Sequence, residues 1–255
     1  MQNKIPRYVY KYKSINTIED LIRLIDTIRN GKMYCPTYKQ LNDPLECSVV
    51  LPIPYGYAGC GMSASADEED IYVVDHKLRY RILSFAQKCN NPLMWAHYAG
   101  DYKGVCLCLS TQSGDLKKIK EIEYCKDKEE IRVSDTEMDR VIRASLYKKA
   151  DGWKYEKEWR LLKKAKKADQ KVFIDIRENL CGIIIGHKMS AEIKSYLLET
   201  IQDDLEVFKT KIGYRTVGVG ILKNNYVEKF GTGKPVKYVD VEKALDKRDR
   251  AGQKR

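Results

Sequence analysis

The arrangement of hydrophobic and polar residues along the chain predicts alternating strands and helices. Residues 8–13 alternate with period two, which places three tyrosines on one face and two lysines on the other and predicts a first strand. Apolar residues then recur at helical spacing from Ile18 to Ile28, after a cap at Asn16 and before a stop at Gly31. The chain therefore opens with a strand followed by an amphipathic helix.

The rest of the sequence continues this mixture. Residues 104–109 are apolar on both faces, as expected of a central strand. The pattern predicts an α+β fold, a mixed and mostly antiparallel central sheet with flanking helices. We expect a single domain over residues 1–240 and a charged C-terminal tail over residues 241–255. Further strands are predicted at 32–35, 81–86, 122–125, 172–176, 182–185 and 206–212, and further helices from 92, at 137–149 and at 190–205.

The segment from Trp153 to Leu162 is the main candidate for a functional site. Its alternation predicts a half-buried strand that carries Glu156, Glu158 and Arg160 on one face. Neighbouring carboxylates repel, which raises the pKa of one of them unless a cation compensates. Glu158 and Glu156 are therefore candidate catalytic residues, with Arg160 as a binding residue. The alternative is a surface ladder of ion pairs on a sheet.

Two further segments combine titratable groups with rigid side chains, the composition expected of a preorganised pocket. One is an Asn-Asp-Pro turn, and the other is a short helix that begins at Pro92. Both also have a purely structural explanation, as an ordinary turn and as a packed apolar stripe. The turn supplies Asn42, Asp43 and Glu46 as candidate binding residues, and the helix supplies Trp95 and Tyr98 for binding and His97 for catalysis.

Composition and charge limit the class of protein. The chain has 255 residues, of which 43% are hydrophobic and 33% charged, and no apolar run approaches the roughly 20 residues of a membrane helix. With no signal-peptide pattern and eight scattered cysteines, we expect a cytoplasmic protein with reduced thiols and no membrane partner. The net charge of +11 favours an anionic partner, either nucleotide or nucleic acid, although a basic surface alone explains it equally well.

Taken together, these motifs resemble the bacterial family DUF2971, a domain of unknown function, over roughly residues 8 to 215. The family name supplies no activity. The resemblance implies a cytoplasmic bacterial or phage-borne protein, with some relatives located among mobile or defence genes. The matching features are Tyr10-Lys11-Tyr12, Gly31, Asn42-Asp43-Pro44 with Glu46, Ser84, Met94-Trp95 with His97-Tyr98-Ala99, Gly104, and the run from Lys154 to Arg160.

The order of these features is also similar to that of ADP-ribosyltransferase-like toxins, which have a basic residue on an early strand and Glu-x-Glu on a late one. The likeness implies NAD as a substrate rather than a bound cofactor, and no metal. Lys11 or Lys13 would hold the nucleotide, with Tyr12 as a further binding residue, and Trp95 or Tyr98 would stack on nicotinamide. Glu158 would stabilise charge at the ribose, and Glu156 would activate the acceptor. This sequence departs from those toxins by having lysine where they have arginine or histidine.

Three functions remain open from the sequence. The first is a transferase or glycohydrolase acting on a nucleotide or nucleic acid, with Glu158 as its central group. The second is a non-catalytic module that binds nucleic acid or a protein partner. The third is a metal-dependent nuclease with Asp43, Glu46 and Glu158 as oxygen ligands.

Overall fold

The computed structural model describes residues 4–43, 77–126, 138–201, 205–212, 219–225 and 237–252. Helices and strands alternate through these residues. The helices are α1 (Ile18–Asn30), α2 (Pro92–Tyr98), α3 (Met138–Ser145), α4 (Ala191–Thr200) and α5 (Val241–Gly252). The strands are β1 (Tyr8–Lys13), β2 (Lys32–Cys35), β3 (Tyr80–Ala86), β4 (Val105–Ser110), β5 (Lys120–Glu121), β6 (Glu123–Cys125), β7 (Lys148–Ala150), β8 (Glu158–Lys164), β9 (Val172–Asp175), β10 (Leu180–Ile185), β11 (Glu206–Lys211) and β12 (Gly220–Lys223).

A large sheet organises the described residues. Eight strands pair in the order β12-β11-β10-β4-β1-β3-β8-β5. Neighbours are antiparallel except for the parallel pair β10 and β11. Two smaller pairs, β2 with β9 and β6 with β7, lie beside it. The predicted α+β class with a mixed, mostly antiparallel central sheet is confirmed.

Each face of β1 enters a different hydrophobic cluster. Val9 packs with α1, the neighbouring strands and Trp159 on one side of the sheet. Tyr8, Tyr10 and Tyr12 pack on the other side, which also contains α2. The predicted separation of tyrosines from lysines on this strand is therefore confirmed, and β1 is buried on both faces.

Helix α1 matches its prediction except at its first residues. The N-cap is Thr17, whose hydroxyl accepts a hydrogen bond from the Asp20 amide while the Asp20 carboxylate accepts from the Thr17 amide. The cap predicted at Asn16 is wrong by one residue, because Thr17 and Asp20 together complete this reciprocal pair. Gly31 ends the helix in the left-handed conformation at φ 61°, as predicted.

The predicted strand from Trp153 to Leu162 is wrong in its first half. Residues Asp151–Glu156 form a 3₁₀ helix, and β8 begins only at Glu158. Lys157 separates the two in a left-handed conformation at φ 45°, which reverses the chain locally. Glu156 therefore reaches the site from the end of the 3₁₀ helix, while Glu158 reaches it from the strand.

The predicted C-terminal tail contains helix α5, which packs on the sheet. Val241 and Leu245 are buried in the cluster with the β1 tyrosines. The Tyr8 hydroxyl donates to Asp246 and Asp249 at 2.9 and 2.8 Å. Among the described residues, no helix has the length and apolarity needed to cross a bilayer.

Candidate functional site

Two carboxylates and a lysine meet where β7, the 3₁₀ helix and β8 come together. The Lys149 Nζ atom lies 2.6 Å from Glu156 Oε2 and 3.1 Å from Glu158 Oε2. Lys149, Glu156 and Glu158 are each at most 7% exposed. One ammonium group therefore bridges two buried carboxylates, which would otherwise repel each other in a medium of low dielectric constant.

Arg160 supports Glu158 from behind. Its Nε donates to Glu158 Oε1 at 2.5 Å, and its Nη2 donates to Glu158 Oε2 at 3.0 Å. Its Nη1 donates to the Leu146 carbonyl at 2.7 Å. This two-pronged contact fixes the plane of the Glu158 carboxylate as well as its position.

The environment shifts the pKa values of this cluster in different directions. Burial raises the pKa of Glu158, although Lys149 and a hydrogen bond from Ser84 oppose the rise. Burial alone would lower the pKa of Lys149, but Glu158 and Glu156 outweigh it and hold that pKa above its ordinary value. Burial lowers the pKa of Arg160 to about 9, so this guanidinium remains charged at neutral pH beside Glu158.

Two tyrosines complete the hydrogen bonding of the cluster. The Tyr98 hydroxyl donates to Glu156 Oε1 at 2.5 Å, and the Tyr124 hydroxyl accepts from the Glu158 amide at 2.9 Å. Burial, followed by the hydrogen bond to Glu156, raises the pKa of Tyr98. Tyr98 is therefore a neutral donor at physiological pH, connected through Glu156 to Lys149 and Glu158.

A cavity of about 170 Å³ opens onto these groups. It lies along β1 and β3, where the register joins the two strands only through Tyr10 and Ala86. By contrast, β1 pairs with β4 over all six of its residues. The cavity is lined by Tyr10, Lys11, Tyr12, Pro36, Gln40, Leu41, Asn42, Ile82, Ser84, Phe85, Ala86, Met94, Tyr98, Lys149, Glu156 and Glu158.

Lys11 reaches this cavity from the face of β1 opposite the tyrosines. Its Nζ donates to the Ser84 carbonyl at 2.8 Å and so crosses the gap between β1 and β3. Burial, together with repulsion from Lys13, lowers the pKa of Lys11 to about 7, against an opposing effect of Glu158. Lys11 therefore carries only part of a positive charge at neutral pH.

The structure brings half of the predicted binding residues to one cavity. Lys11, Tyr12, Asn42 and Tyr98 line the cavity together with Glu156 and Glu158. Asp43 is buried, and its charge acts on Arg160. Glu46 lies outside the described residues. The convergence expected from three separate sequence segments is therefore observed for these lining residues.

Trp95 and His97 have other surroundings. Trp95 is fully buried, where its Nε1 donates to the Cys89 carbonyl at 2.8 Å and its ring stacks on Tyr102. It therefore packs in the core and does not line the cavity. His97 is exposed, with its ring 6.3 Å from that of Tyr155. Neither residue contributes to the wall formed by the carboxylates.

Sequence reasoning did not identify Lys149 or Tyr124. Lys149 follows another lysine at the end of a segment predicted as helix, and its pattern resembles a solvated lysine pair. The two small strands β6 and β7 pair in parallel and place both residues against β8. Only this long-range pairing distinguishes Lys149 from the exposed lysines, so local sequence carried no signal for it.

Among the described residues, no group of three His, Cys, Asp or Glu side chains has an arrangement that would hold a metal. The proposed ligand set of the nuclease hypothesis includes Glu46, which lies outside those residues.

No curated protein and no solved structure matches the chain. A family model described as "Protein of unknown function (DUF2971)" matches residues 94–161, the segment that runs from α2 to β8. This segment contains Tyr98, Lys149, Glu156, Glu158 and Arg160. The resemblance to the DUF2971 family is thus confirmed over the residues that form the charged wall of the cavity.

Proposed function

We propose that this protein is an enzyme that acts on the N-glycosidic bond of a nucleotide, as a glycohydrolase or an ADP-ribosyltransferase-like transferase. NAD is the first substrate to test. The observation that carries the proposal is that Glu156 and Glu158 line one cavity but have different hydrogen-bond partners. Chemistry at a glycosidic carbon uses two carboxylates with different roles.

The hydrogen bonds suggest which role each carboxylate takes. Glu158 accepts from Arg160 at both oxygens, from Lys149 and from Ser84, so its carboxylate is held in a fixed position by four hydrogen bonds. A fixed, ionised carboxylate suits the stabilisation of positive charge that develops at the ribose as the glycosidic bond breaks. We therefore assign Glu158 the role of stabilising that positive charge.

Glu156 retains more capacity as a base. It accepts one hydrogen bond at each oxygen, from Tyr98 and from Lys149, whereas a carboxylate has about four acceptor sites. The remaining sites suit a proton taken from an attacking water or acceptor hydroxyl. When the C–N bond breaks, its electron pair leaves with the departing nitrogen ring of the nucleotide. The oxygen of the water or acceptor hydroxyl forms the new bond to the ribose carbon.

The size and walls of the cavity agree with a ring-sized group. Pockets that enclose whole drug-sized ligands measure about 300–1,000 Å³, so a cavity of about 170 Å³ holds one part of a dinucleotide. Tyr12, Phe85 and Tyr98 supply aromatic surface in this cavity, and Asn42 supplies an amide. Aromatic surface with a few polar groups is suited to a ribose or a nicotinamide ring.

The test is NAD consumption by the purified protein and by a Glu158→Gln variant. We expect the variant to lose about 100-fold or more in kcat/KM, since removal of one charge-stabilising group costs about that much. Glu123→Gln is the matched control, because Glu123 is exposed on the neighbouring strand β6. Circular dichroism of each variant checks the fold. Intact NAD after prolonged incubation with the folded parent protein would refute the NAD proposal.

The proposed setting is the bacterial cytoplasm, in a toxin or defence context. Free thiols agree with a reducing compartment, and the six cysteines among the described residues are all free. Expression of the parent chain should then lower cellular NAD and slow growth, whereas Glu158→Gln should do neither. Equal toxicity of parent and variant would contradict the link between this pocket and the proposed context.

A second candidate function is binding of nucleic acid by a basic surface. Lys117 and Lys118 follow Asp115, which pairs with Lys163 at 2.5 Å, and so lie near the exposed lysines of the turn between β8 and β9. These are Lys166, Lys167 and Lys171. If each of these five lysines contacts one phosphate, affinity for duplex DNA should fall about 500-fold between about 50 and about 200 mM salt. Binding without this salt dependence, or no binding, would contradict the second candidate.

A further inference from the structure

Lys11 is a lysine whose amine faces a cavity without a carboxylate hydrogen-bonded to it. Lys11 is one of the residues that line the cavity, and its Nζ donates to the neutral carbonyl of Ser84. Lys149, in the same cavity, is held by two carboxylates. The two lysines therefore differ in kind: Lys149 is a fixed cation, whereas Lys11 has no direct anionic partner among its described hydrogen bonds.

The titratable groups around Lys11 come from its own strand and from two other strands. Lys13 is on the same face of β1, Cys35 is on β2, and Glu158 and Arg160 are on β8. Burial, Lys13 and Arg160 disfavour the ammonium form of Lys11, whereas Glu158 and Cys35 favour it. The sum leaves the pKa at about 7, so roughly half of the amine has a free electron pair at neutral pH.

We propose that Lys11 is a nucleophile that forms a Schiff base with a small aldehyde entering the cavity. A neutral lysine amine in a desolvated pocket is the group that proteins use for this chemistry. The ligand class is an aldehyde about the size of a sugar fragment, because the cavity measures about 170 Å³ and its walls include hydroxyl and amide groups. The proposal does not depend on cleavage of NAD.

The reaction balances without an oxidant or another co-reactant. The nitrogen electron pair of Lys11 attacks the carbonyl carbon, and the carbonyl π pair moves to its oxygen. One proton passes from nitrogen to that oxygen to give a carbinolamine. The second N–H proton then passes to the same oxygen, the C–O bond breaks, and water leaves as the C=N bond forms. Glu156 lies in the same cavity and has acceptor sites left for this proton transfer.

The test uses glycolaldehyde with cyanoborohydride at pH 7, followed by a peptide map of the intact full-length chain by mass spectrometry. An ordinary lysine is neutral in only about one molecule in 2,500 at pH 7, against about one in two for Lys11. Lower nucleophilicity of the weaker base offsets part of this difference. We expect Lys11 to be modified at least about ten-fold faster than exposed Lys117, with a rate that rises to half its maximum near pH 7.

Lys13 is the matched internal control, because burial also lowers its pKa but it does not line the cavity. Faster modification of Lys11 than of Lys13 supports the cavity as the site of reaction. Equal rates at Lys11 and Lys117, or a rate at Lys11 that rises only near pH 10, would overturn the proposal. Both comparisons are made within the parent protein, so they do not require any Lys11 variant to fold.

The result separates this inference from the proposed function. Modification of Lys11 with NAD left intact keeps the Schiff-base site and removes the glycosidic activity. NAD consumption with Lys11 no more reactive than Lys117 removes the Schiff-base site and keeps the activity.

Discussion

Replacement of Lys149 by methionine tests whether this ammonium group holds the two carboxylates together. Methionine retains most of the volume and removes the charge. The Nζ atom lies 2.6 Å from Glu156 Oε2 and 3.1 Å from Glu158 Oε2, in a site that is almost fully buried. Without it, Arg160 still compensates Glu158, but Glu156 keeps only the neutral hydroxyl of Tyr98.

The magnitude follows from these distances. Each ion pair is worth about 5–6 kcal/mol at an effective dielectric constant of about 20. Desolvation of the three buried charges offsets most of this gain, and removal of one partner from a buried pair costs about 3–5 kcal/mol. We therefore expect Lys149→Met to lower the free energy of unfolding by about 3–5 kcal/mol at pH 8.

The loss should depend on pH in a definite direction. In the variant, burial and repulsion raise the folded pKa of one carboxylate above its value in the unfolded chain. A raised carboxyl pKa means that the folded state binds more protons, so stability is gained as the pH falls through the folded pKa. Each unit of additional shift is worth about 1.4 kcal/mol, so the deficit against the parent should shrink by about 1–3 kcal/mol between pH 8 and pH 5.

The assay is urea unfolding of parent and variant at both pH values, followed by circular dichroism. Lys117→Met serves as the control, since Lys117 is exposed and its replacement should change the free energy of unfolding by less than about 0.5 kcal/mol at either pH. A deficit below about 1 kcal/mol at pH 8, or one that stays constant down to pH 5, would refute the assignment of Lys149 as the bridge.

Three other substitutions test individual features of the structure. Lys157→Gly should raise the free energy of unfolding by about 1 kcal/mol in urea, because Lys157 is exposed and held at φ 45°. Gly31→Ala should lower the melting temperature through a loss of about 1–2 kcal/mol, since this residue has φ 61° and its new Cβ would lie 2.0 Å from Cγ of Arg177. Tyr98→Phe should lower the free energy of unfolding in urea by about 1.5–3 kcal/mol, because it removes the hydrogen-bond donor to the Glu156 carboxylate. An unchanged free energy of unfolding would contradict that hydrogen bond.

Much of the fold follows from local patterns in the sequence. The alternation of residues 8–13 predicted both the position of β1 and the separation of its tyrosines from its lysines, because the two faces of a strand enter different surroundings. Gly31 correctly predicted the end of α1, since few other residues adopt its conformation. Ser190 correctly predicted the start of α4. These features are decided by neighbours close in sequence.

The candidate site was predicted in part, and its omissions have a physical cause. Glu156 and Glu158 were identified, but as members of one strand, because Lys157 gives no local sign of its left-handed conformation. The strand pattern also suggested a half-buried face, whereas Arg160 is completely buried. Burial of these charges depends on Lys149 and on the pairing of β6 with β7, which join segments distant along the chain. A pattern of period two contains no information about such partners.

The narrow junction between β1 and β3 has a mechanical consequence for the whole sheet. On one side of it lie β1, β4, β10, β11 and β12, and on the other lie β3, β8 and β5. Because the register joins these two groups through Tyr10 and Ala86, with Lys11 donating across the gap to Ser84, little backbone pairing resists their separation. Because residues of both groups line the cavity, a ligand that enters it contacts both groups of strands across this junction.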